Sequence, residues 1–141
     1  MLHTLMFVYI SMVLYVTVMP INIPLGATNK YFLDQANFIP FRDLRLGYSG
    51  AEREIVLNII MMVPFGFLFP IIQNKGMIFT VLMTFIFSLM IESTQLLMVY
   101  LGSLYSRSFD VTDLITNTLG GFVGFLLYIP FSRLFRKIID S

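Results

Sequence analysis

The sequence predicts an all-α membrane protein, a bundle of four transmembrane helices with one long structured loop between the first and second. Of the 141 residues, 57% are hydrophobic and 12% are charged, about half the charged fraction of an ordinary soluble domain. Four apolar stretches also follow one another, each near the roughly 20 helical residues needed to cross a hydrocarbon core about 30 Å thick. We expect residues 1–141 to form a single integral membrane domain.

The predicted spans cover about residues 2–21, 55–72, 77–101 and 111–131. A cleaved signal peptide is an alternative interpretation of the first stretch, but the apolar run is too long for one and no Lys or Arg precedes it. The second contains no charged side chain, and the third and fourth contain one each, Glu92 and Asp113. Short connections between the later spans predict that spans two, three and four are successive antiparallel neighbours.

The long connection, residues 22–54, carries most of the polar side chains of the chain. It also contains the apolar run Asn37-Phe38-Ile39-Pro40-Phe41, which predicts a segment packed into the membrane surface or against the helices. The basic residues Arg133, Arg136 and Lys137 follow span four directly. They favour a cell-membrane orientation with both termini in the cytoplasm, although the basic residues of the long loop nearly balance them.

The composition also excludes several classes of function. A net charge of +1 provides no basic field for nucleic acid. The absence of cysteine excludes disulfides, thiolate zinc sites and a cysteine nucleophile. The single histidine, His3, argues against histidine-based metal or triad chemistry. We therefore predict no cofactor, no metal site and no nucleic-acid partner.

Polar side chains inside apolar spans are the strongest functional signal, because a mid-bilayer charge costs about 2.5–3.5 kcal/mol on insertion scales. Antiparallel threading places seven such side chains at one leaflet, beneath the long loop: Asn58, Glu92, Gln95, Arg107, Asp110, Asp113 and Asn117. A polar cluster at one leaflet predicts a site for lipid head groups or for a ligand at the membrane surface.

Several of these positions have a simpler interpretation as well. Glu92 and Gln95 share a helix face and could serve as hydrogen-bonding contacts between helices. Asp110 could cap span four, where acids stabilise a helix N-terminus. The Asp110-Val-Thr-Asp113 spacing could hold Mg²⁺ against a phosphate, but no basic cluster faces it. A last group of residues is assigned to helix packing or bending: Pro64, Gly66, Gly120, Gly121 and Gly124.

Five sequence elements, in order, resemble the VanZ-like family of bacterial membrane proteins. Asn37-Phe-Ile-Pro40-Phe41 resembles its N-x-x-P-F element. The segment from Asn58 to Gly66 resembles its N-x-x-x-x-x-P-x-G signature, and Glu92-Ser-Thr-Gln95 its E-x-x-Q. The segment from Arg107 to Gly121 resembles the run R-x-x-D-x-x-D-x-x-x-N-x-x-G-G, which supplies the last two elements.

The resemblance implies a bacterial plasma-membrane protein whose founding relative lowers susceptibility to teicoplanin, a lipid-tailed glycopeptide. It supplies no reaction, and no catalytic residue is assigned. The expected partners are membrane lipids and either a lipid-linked envelope precursor or a lipoglycopeptide; oligomer formation stays open. The ligand-binding candidates are Asn37, Pro40, Asn58, Glu92, Gln95, Arg107, Asp110, Asp113 and Asn117. The alternatives are a metal-dependent enzyme acting on a lipid phosphate and a structural membrane protein.

Overall fold

The structure is a computed structural model that describes residues 1–19, 21, 23–24, 28–103 and 107–139, with the side chains of 135–139 left out. The helices in these residues are α1 (Leu2–Val18), α2 (Arg42–Arg45), α3 (Ala51–Gln73), α4 (Met77–Tyr100) and α5 (Val111–Ile139), with a 3-10 turn at Phe32–Gln35. Across those ranges there is no strand, only an isolated bridge between Asn37 and Asp110. The predicted all-helical class is confirmed.

Three helices are long and apolar enough to cross a membrane: α3, α4 and the Val111–Leu134 part of α5. The first helix is shorter, with 17 residues, or about 26 Å at 1.5 Å per residue. It ends before Ile21, where the prediction placed its end. Met19 is already extended, as expected for a residue that precedes a proline. Pro20 of the predicted first span, and Asn22 and residues 25–27 of the long connection, lie outside the described residues.

The other predicted boundaries differ at charged residues. The third helix begins at Ala51 rather than Ile55 and takes Glu52 and Glu54 into its first turn, where acids interact favourably with the helix dipole. The last helix continues beyond Phe131 to Ile139. Of the predicted basic cluster after span four, the side chains of Arg136 and Lys137 lie outside the described part of the chain.

Helix α3 packs most extensively against α5, and less against α4, its neighbour in sequence. The predicted contacts between successive helices, α3 with α4 and α4 with α5, are present, but the short connections did not indicate that the most extensive packing joins α3 to α5. Glycines explain it, because a Cβ on Gly66 would fall on the carbonyl group of Gly121, and a Cβ on Gly124 would fall on the carbonyl oxygen of Val63. The two backbones therefore approach as closely as small residues allow, and α3 and α5 run in the same direction.

A buried apolar residue and several polar contacts attach helix α1 along α3 and α4. Val13 joins the core formed with Met62, Phe65 and Ile91. The Tyr9 hydroxyl donates to the carbonyl oxygen of Met61 at 2.7 Å, and Gln95 Nε2 donates to the carbonyl oxygen of Thr17 at 2.9 Å. Most other side chains of α1 are exposed.

Candidate functional site

The site is built where the long connection meets the start of α5. The backbone N–H of Asn37 donates to Phe109 at 2.7 Å, and the N–H of Val111 donates to Asn37 at 2.9 Å. The main chain of Asn37 thus pairs with the two residues that flank Asp110, Phe109 and Val111. Its side-chain Nδ2 also donates to Asp110 Oδ2 at 2.9 Å, so the loop and the helix N-terminus form one unit.

Asp110 is the N-cap of α5. Its Oδ1 accepts the N–H of Thr112 at 2.7 Å, which satisfies a backbone donor that the helix itself leaves without a partner. Its other carboxylate oxygen accepts from Asn37. Both oxygens therefore have partners within the protein, and the capping interpretation of Asp110 agrees with the geometry.

Glu92 is 1% exposed and points at the same turn. Its Oε2 accepts the backbone N–H of Asp110 at 2.8 Å. An acceptor oxygen at this position satisfies a backbone donor that the helix leaves without a partner. The Glu92 side chain therefore fastens α4 to the start of α5.

A second contact fixes the loop beside this turn. The N–H of Phe41 donates to Thr112 Oγ1 at 3.0 Å. Phe41 has φ 55°, a left-handed conformation that costs a bulky residue about 1–3 kcal/mol. The contact with Thr112 helps to hold that conformation. Pro40, a predicted ligand-binding residue, is exposed, and its carbonyl oxygen accepts from Arg45 Nη2.

Deeper in the bundle, α4 and α5 are joined by polar side chains. Asn117 Nδ2 donates to Ser88 Oγ at 2.9 Å, and both residues are buried. Ser88 was not among the predicted residues. A signal for it existed in the sequence, because Thr80, Thr84, Ser88 and Glu92 recur every four residues and so share one face of α4.

Further charged side chains lie on the open side of the site. Arg107 Nη2 lies 3.1 Å from Glu54 Oε1, and the two side chains are 53% and 54% exposed. Asp113 is half-buried, and its carboxyl group lies within electrostatic range of Asp110, Arg107 and Glu54. Glu54 was missed in the sequence, because 53 residues separate it from Arg107 and no local pattern joins them.

A groove of about 550 Å³ opens between α1 and α3, next to these charges. Val13 and Val16 of α1 and Leu57 and Met61 of α3 form part of its apolar walls, and Glu54, Asn58 and Arg107 lie at its polar end. Its size is typical of a small-molecule site. A second apolar cavity of about 480 Å³ shares Tyr9 and Pro64 with it and extends to Phe67 and Leu127.

Seven of the nine predicted ligand-binding residues thus divide into two sets; Asp113 lies between the sets, and Pro40 is exposed in the loop. The loop and α5 N-terminus set, in which hydrogen bonds hold the fold, comprises Asn37, Glu92 and Asp110, with Asn117 and Gln95 in comparable contacts nearby. The second set, Asn58 and Arg107, lies at the polar end of the groove. Over the residues with described side chains, no group of three or more His, Asp or Glu is arranged to hold a metal ion.

Comparison with known proteins gives two matches. A model of the VanZ/LLP1 family matches residues 6–136. Protein VanZ of Enterococcus faecium is 32% identical over 100 residues, which cover 70% of this chain and 55% of that protein. The chain therefore matches about half the length of this curated relative. No solved structure matches the chain.

Proposed function

Because the chain belongs to the VanZ/LLP1 family, we propose that it is a multi-pass protein of the bacterial cell membrane that binds a lipid-linked or lipid-tailed molecule at one leaflet. In this proposal α1, α3, α4 and α5 all cross the membrane, and both termini lie in the cytoplasm. The polar end of the groove then faces the outer leaflet, where lipid-tailed compounds and lipid-linked envelope precursors meet the cell.

The observation that carries the proposal is the amphiphilic groove between α1 and α3. Its walls are apolar over most of their length, and charged groups lie at the end nearest the long loop. From Glu54 to Leu68, which lines the adjoining cavity, α3 rises about 21 Å at 1.5 Å per residue. An extended hydrocarbon tail fits that shape, with its polar group at the Glu54–Arg107 end.

The Glu54–Arg107 ion pair suits the polar end, because it contributes little to folding. Both side chains are more than half exposed, and exposed ion pairs contribute about 0–1 kcal/mol. A ligand can therefore replace one partner at small cost. Arg107 can meet a phosphate or carboxylate of a ligand, and Glu54 and Asp113 can meet an amine.

Teicoplanin is the ligand class that we propose to test first. The related protein of Enterococcus faecium carries the name VanZ, and the family resemblance links that name to lowered teicoplanin susceptibility. Teicoplanin combines a polar glycopeptide with a hydrocarbon tail, which are the two features that the groove and its charged end would accommodate.

The test is photo-crosslinking in membranes that contain the full chain, with teicoplanin that carries a diazirine at the end of its tail. We expect crosslinks on the groove faces of α1 and α3, competed by unlabelled teicoplanin but not by a glycopeptide without a tail. Leu57→Trp should lower the yield because it fills the groove. Val56→Trp is the matched control, since residue 56 is similarly exposed (52% against 49%) and does not line the groove.

Crosslinks spread over the outer faces of α4 and α5, or equal yields from the two tryptophan variants, would contradict binding in the groove. Growth supplies a second readout. Cells that express the chain should need more teicoplanin for inhibition than cells that express Leu57→Trp, and they should respond equally to the tail-less glycopeptide.

A further inference from the structure

Residues 36–41, the part of the long connection that docks on α5, form a backbone with few unsatisfied polar groups. The N–H groups of Ala36 and Asn37 donate to main-chain oxygens. The N–H of Ile39 donates to Asn37 Oδ1 at 3.1 Å, that of Phe41 donates to Thr112 Oγ1, and Pro40 has none. Irregular backbone is tolerated at membrane depth where protein buries it, and Ala36 and Asn37 are buried against the helices.

The same segment presents apolar side chains outward. Phe38 is 59% exposed and Ile39 is 55% exposed. Phe38 contacts the ring of Phe109 at 5.4 Å between centroids, which leaves most of its surface uncovered. Two adjacent large apolar side chains on a docked and hydrogen-bonded segment are unusual for a loop surrounded by water.

Hydrogen bonds fix the depth of this segment along the bundle. Asn37 is paired with Asp110, and the N–H of Asp110 donates to Glu92. Glu92 lies fifteen residues after Met77, the first residue of α4, so Asn37 is about 22 Å from that end of the helix. A hydrocarbon core is about 30 Å thick. The segment is therefore level with the outer part of the core.

We propose that residues 36–41 lie in the interfacial region of the outer leaflet, with Phe38 and Ile39 inserted among lipid acyl chains beside the start of α5. This inference rests on the proposal that α4 and α5 cross the membrane. It makes the long connection a membrane-inserted part of the fold, and it places Arg107 and the groove end at the boundary between acyl chains and head groups.

The chain has no tryptophan, so single-tryptophan variants report depth without background. Phe38→Trp probes the segment. Ile86→Trp, on an exposed site nine residues into α4, marks the middle of the bilayer. Tyr31→Trp marks the outer end, because Tyr31 is 75% exposed and its neighbour Phe32 contacts Tyr100 at 5.2 Å between ring centroids.

The measurement is fluorescence quenching in phosphatidylcholine vesicles that carry bromine either near the ester groups or near the acyl-chain ends. We expect the Phe38→Trp emission to be quenched most by shallow bromine and little by aqueous iodide. The Ile86→Trp emission should respond most to deep bromine, and the Tyr31→Trp emission to iodide.

The three tryptophan variants distinguish an error in the proposed membrane crossing from an error in the proposed insertion of residues 36–41. If the Ile86→Trp emission is not quenched by any brominated lipid, the proposed membrane crossing itself is wrong. If it is quenched but Phe38→Trp responds to iodide like Tyr31→Trp, the crossing stands and the insertion of residues 36–41 is wrong. Shielding of Phe38→Trp from both quenchers would also overturn the inference, because the segment would then be covered by protein.

Discussion

Asp110 illustrates how a single residue can serve the fold while matching a family motif. Its two carboxylate oxygens accept from Thr112 and Asn37, and its N–H donates to Glu92. The capping role was predictable, because an acid before a helix is a common N-cap. The bond to Asn37 was not, since 73 residues separate the two and only the tertiary fold brings them together.

Glu92 can be tested as a structural or a functional residue by two substitutions. Glu92→Gln keeps an oxygen that can accept the N–H of Asp110, so we expect stability close to that of the native chain. Glu92→Leu leaves this half-buried N–H without a partner and should cost about 1–3 kcal/mol. The free energy of unfolding in detergent, from reversible denaturation of both variants, measures the difference.

The crosslinking yield completes that test. If Glu92 serves only the fold, Glu92→Gln should crosslink the diazirine-tailed teicoplanin like the native chain. A Glu92→Gln variant that is as stable as the native chain but no longer crosslinks would assign the carboxyl group of Glu92 to ligand binding. Equal stability of the Gln and Leu variants would instead contradict the structural role of the bond to Asp110.

At the scale of elements, the sequence predicted the helices better than their arrangement. Apolar runs of about 20 residues identify α3, α4 and most of α5, because a backbone in lipid must satisfy its own hydrogen bonds. Their ends shifted where Glu52 and Arg133 extend a helix beyond its apolar part. The close packing of α3 on α5 depends on which glycines meet, and hydropathy carries no information about that contact.

The contact between α3 and α5 should tolerate no added methyl group. Gly66→Ala gains about 1 kcal/mol of helix propensity, but its Cβ would meet backbone atoms of Gly121, with the Cα at 2.8 Å. Overpacking costs about 1–3 kcal/mol, and backbone atoms cannot rotate away. We therefore expect a net loss of stability, measured as a lower unfolding midpoint in detergent.

Gly76→Ala is the control for that substitution. A Cβ on Gly76 would meet nothing within 4 Å, and its backbone φ of −79° is open to any residue. Alanine is less favourable than glycine at an N-cap by less than about 1 kcal/mol, so the change should lower the free energy of unfolding by no more than that. Equal losses at the two positions would contradict the close α3–α5 approach.

For the molecule as a whole, a hydrogen-bond network and a groove lie at the same end of the bundle. A network of hydrogen bonds ties residues 36–41, α4 and α5 together, and it uses Asn37, Glu92 and Asp110. Beside it, the groove between α1 and α3 opens next to the exposed pair Glu54 and Arg107. Antiparallel threading predicted that Glu92, Asp110 and Arg107 lie near one another. It could not separate the two roles, because burial and partner choice arise only in the folded chain.

The number and direction of the spans can be measured with three single cysteines, since the chain contains none. Ser49 precedes α3, Gln73 ends it, and Thr4 lies near the start of α1; all three side chains are exposed. With four spans and cytoplasmic termini, a membrane-impermeant maleimide should label Ser49→Cys in intact cells. It should label Thr4→Cys and Gln73→Cys only after the cells are permeabilised.

The first helix decides between three and four spans, because its length of about 26 Å is slightly less than a hydrocarbon core of about 30 Å. If α1 does not cross, Thr4→Cys and Ser49→Cys will label together and Gln73→Cys will stay protected. If the whole orientation is reversed, Ser49→Cys will be protected and the other two labelled. That result would place Arg107 and the groove end at the inner leaflet, where an antibiotic outside the cell does not meet them, and the proposed teicoplanin binding would be wrong.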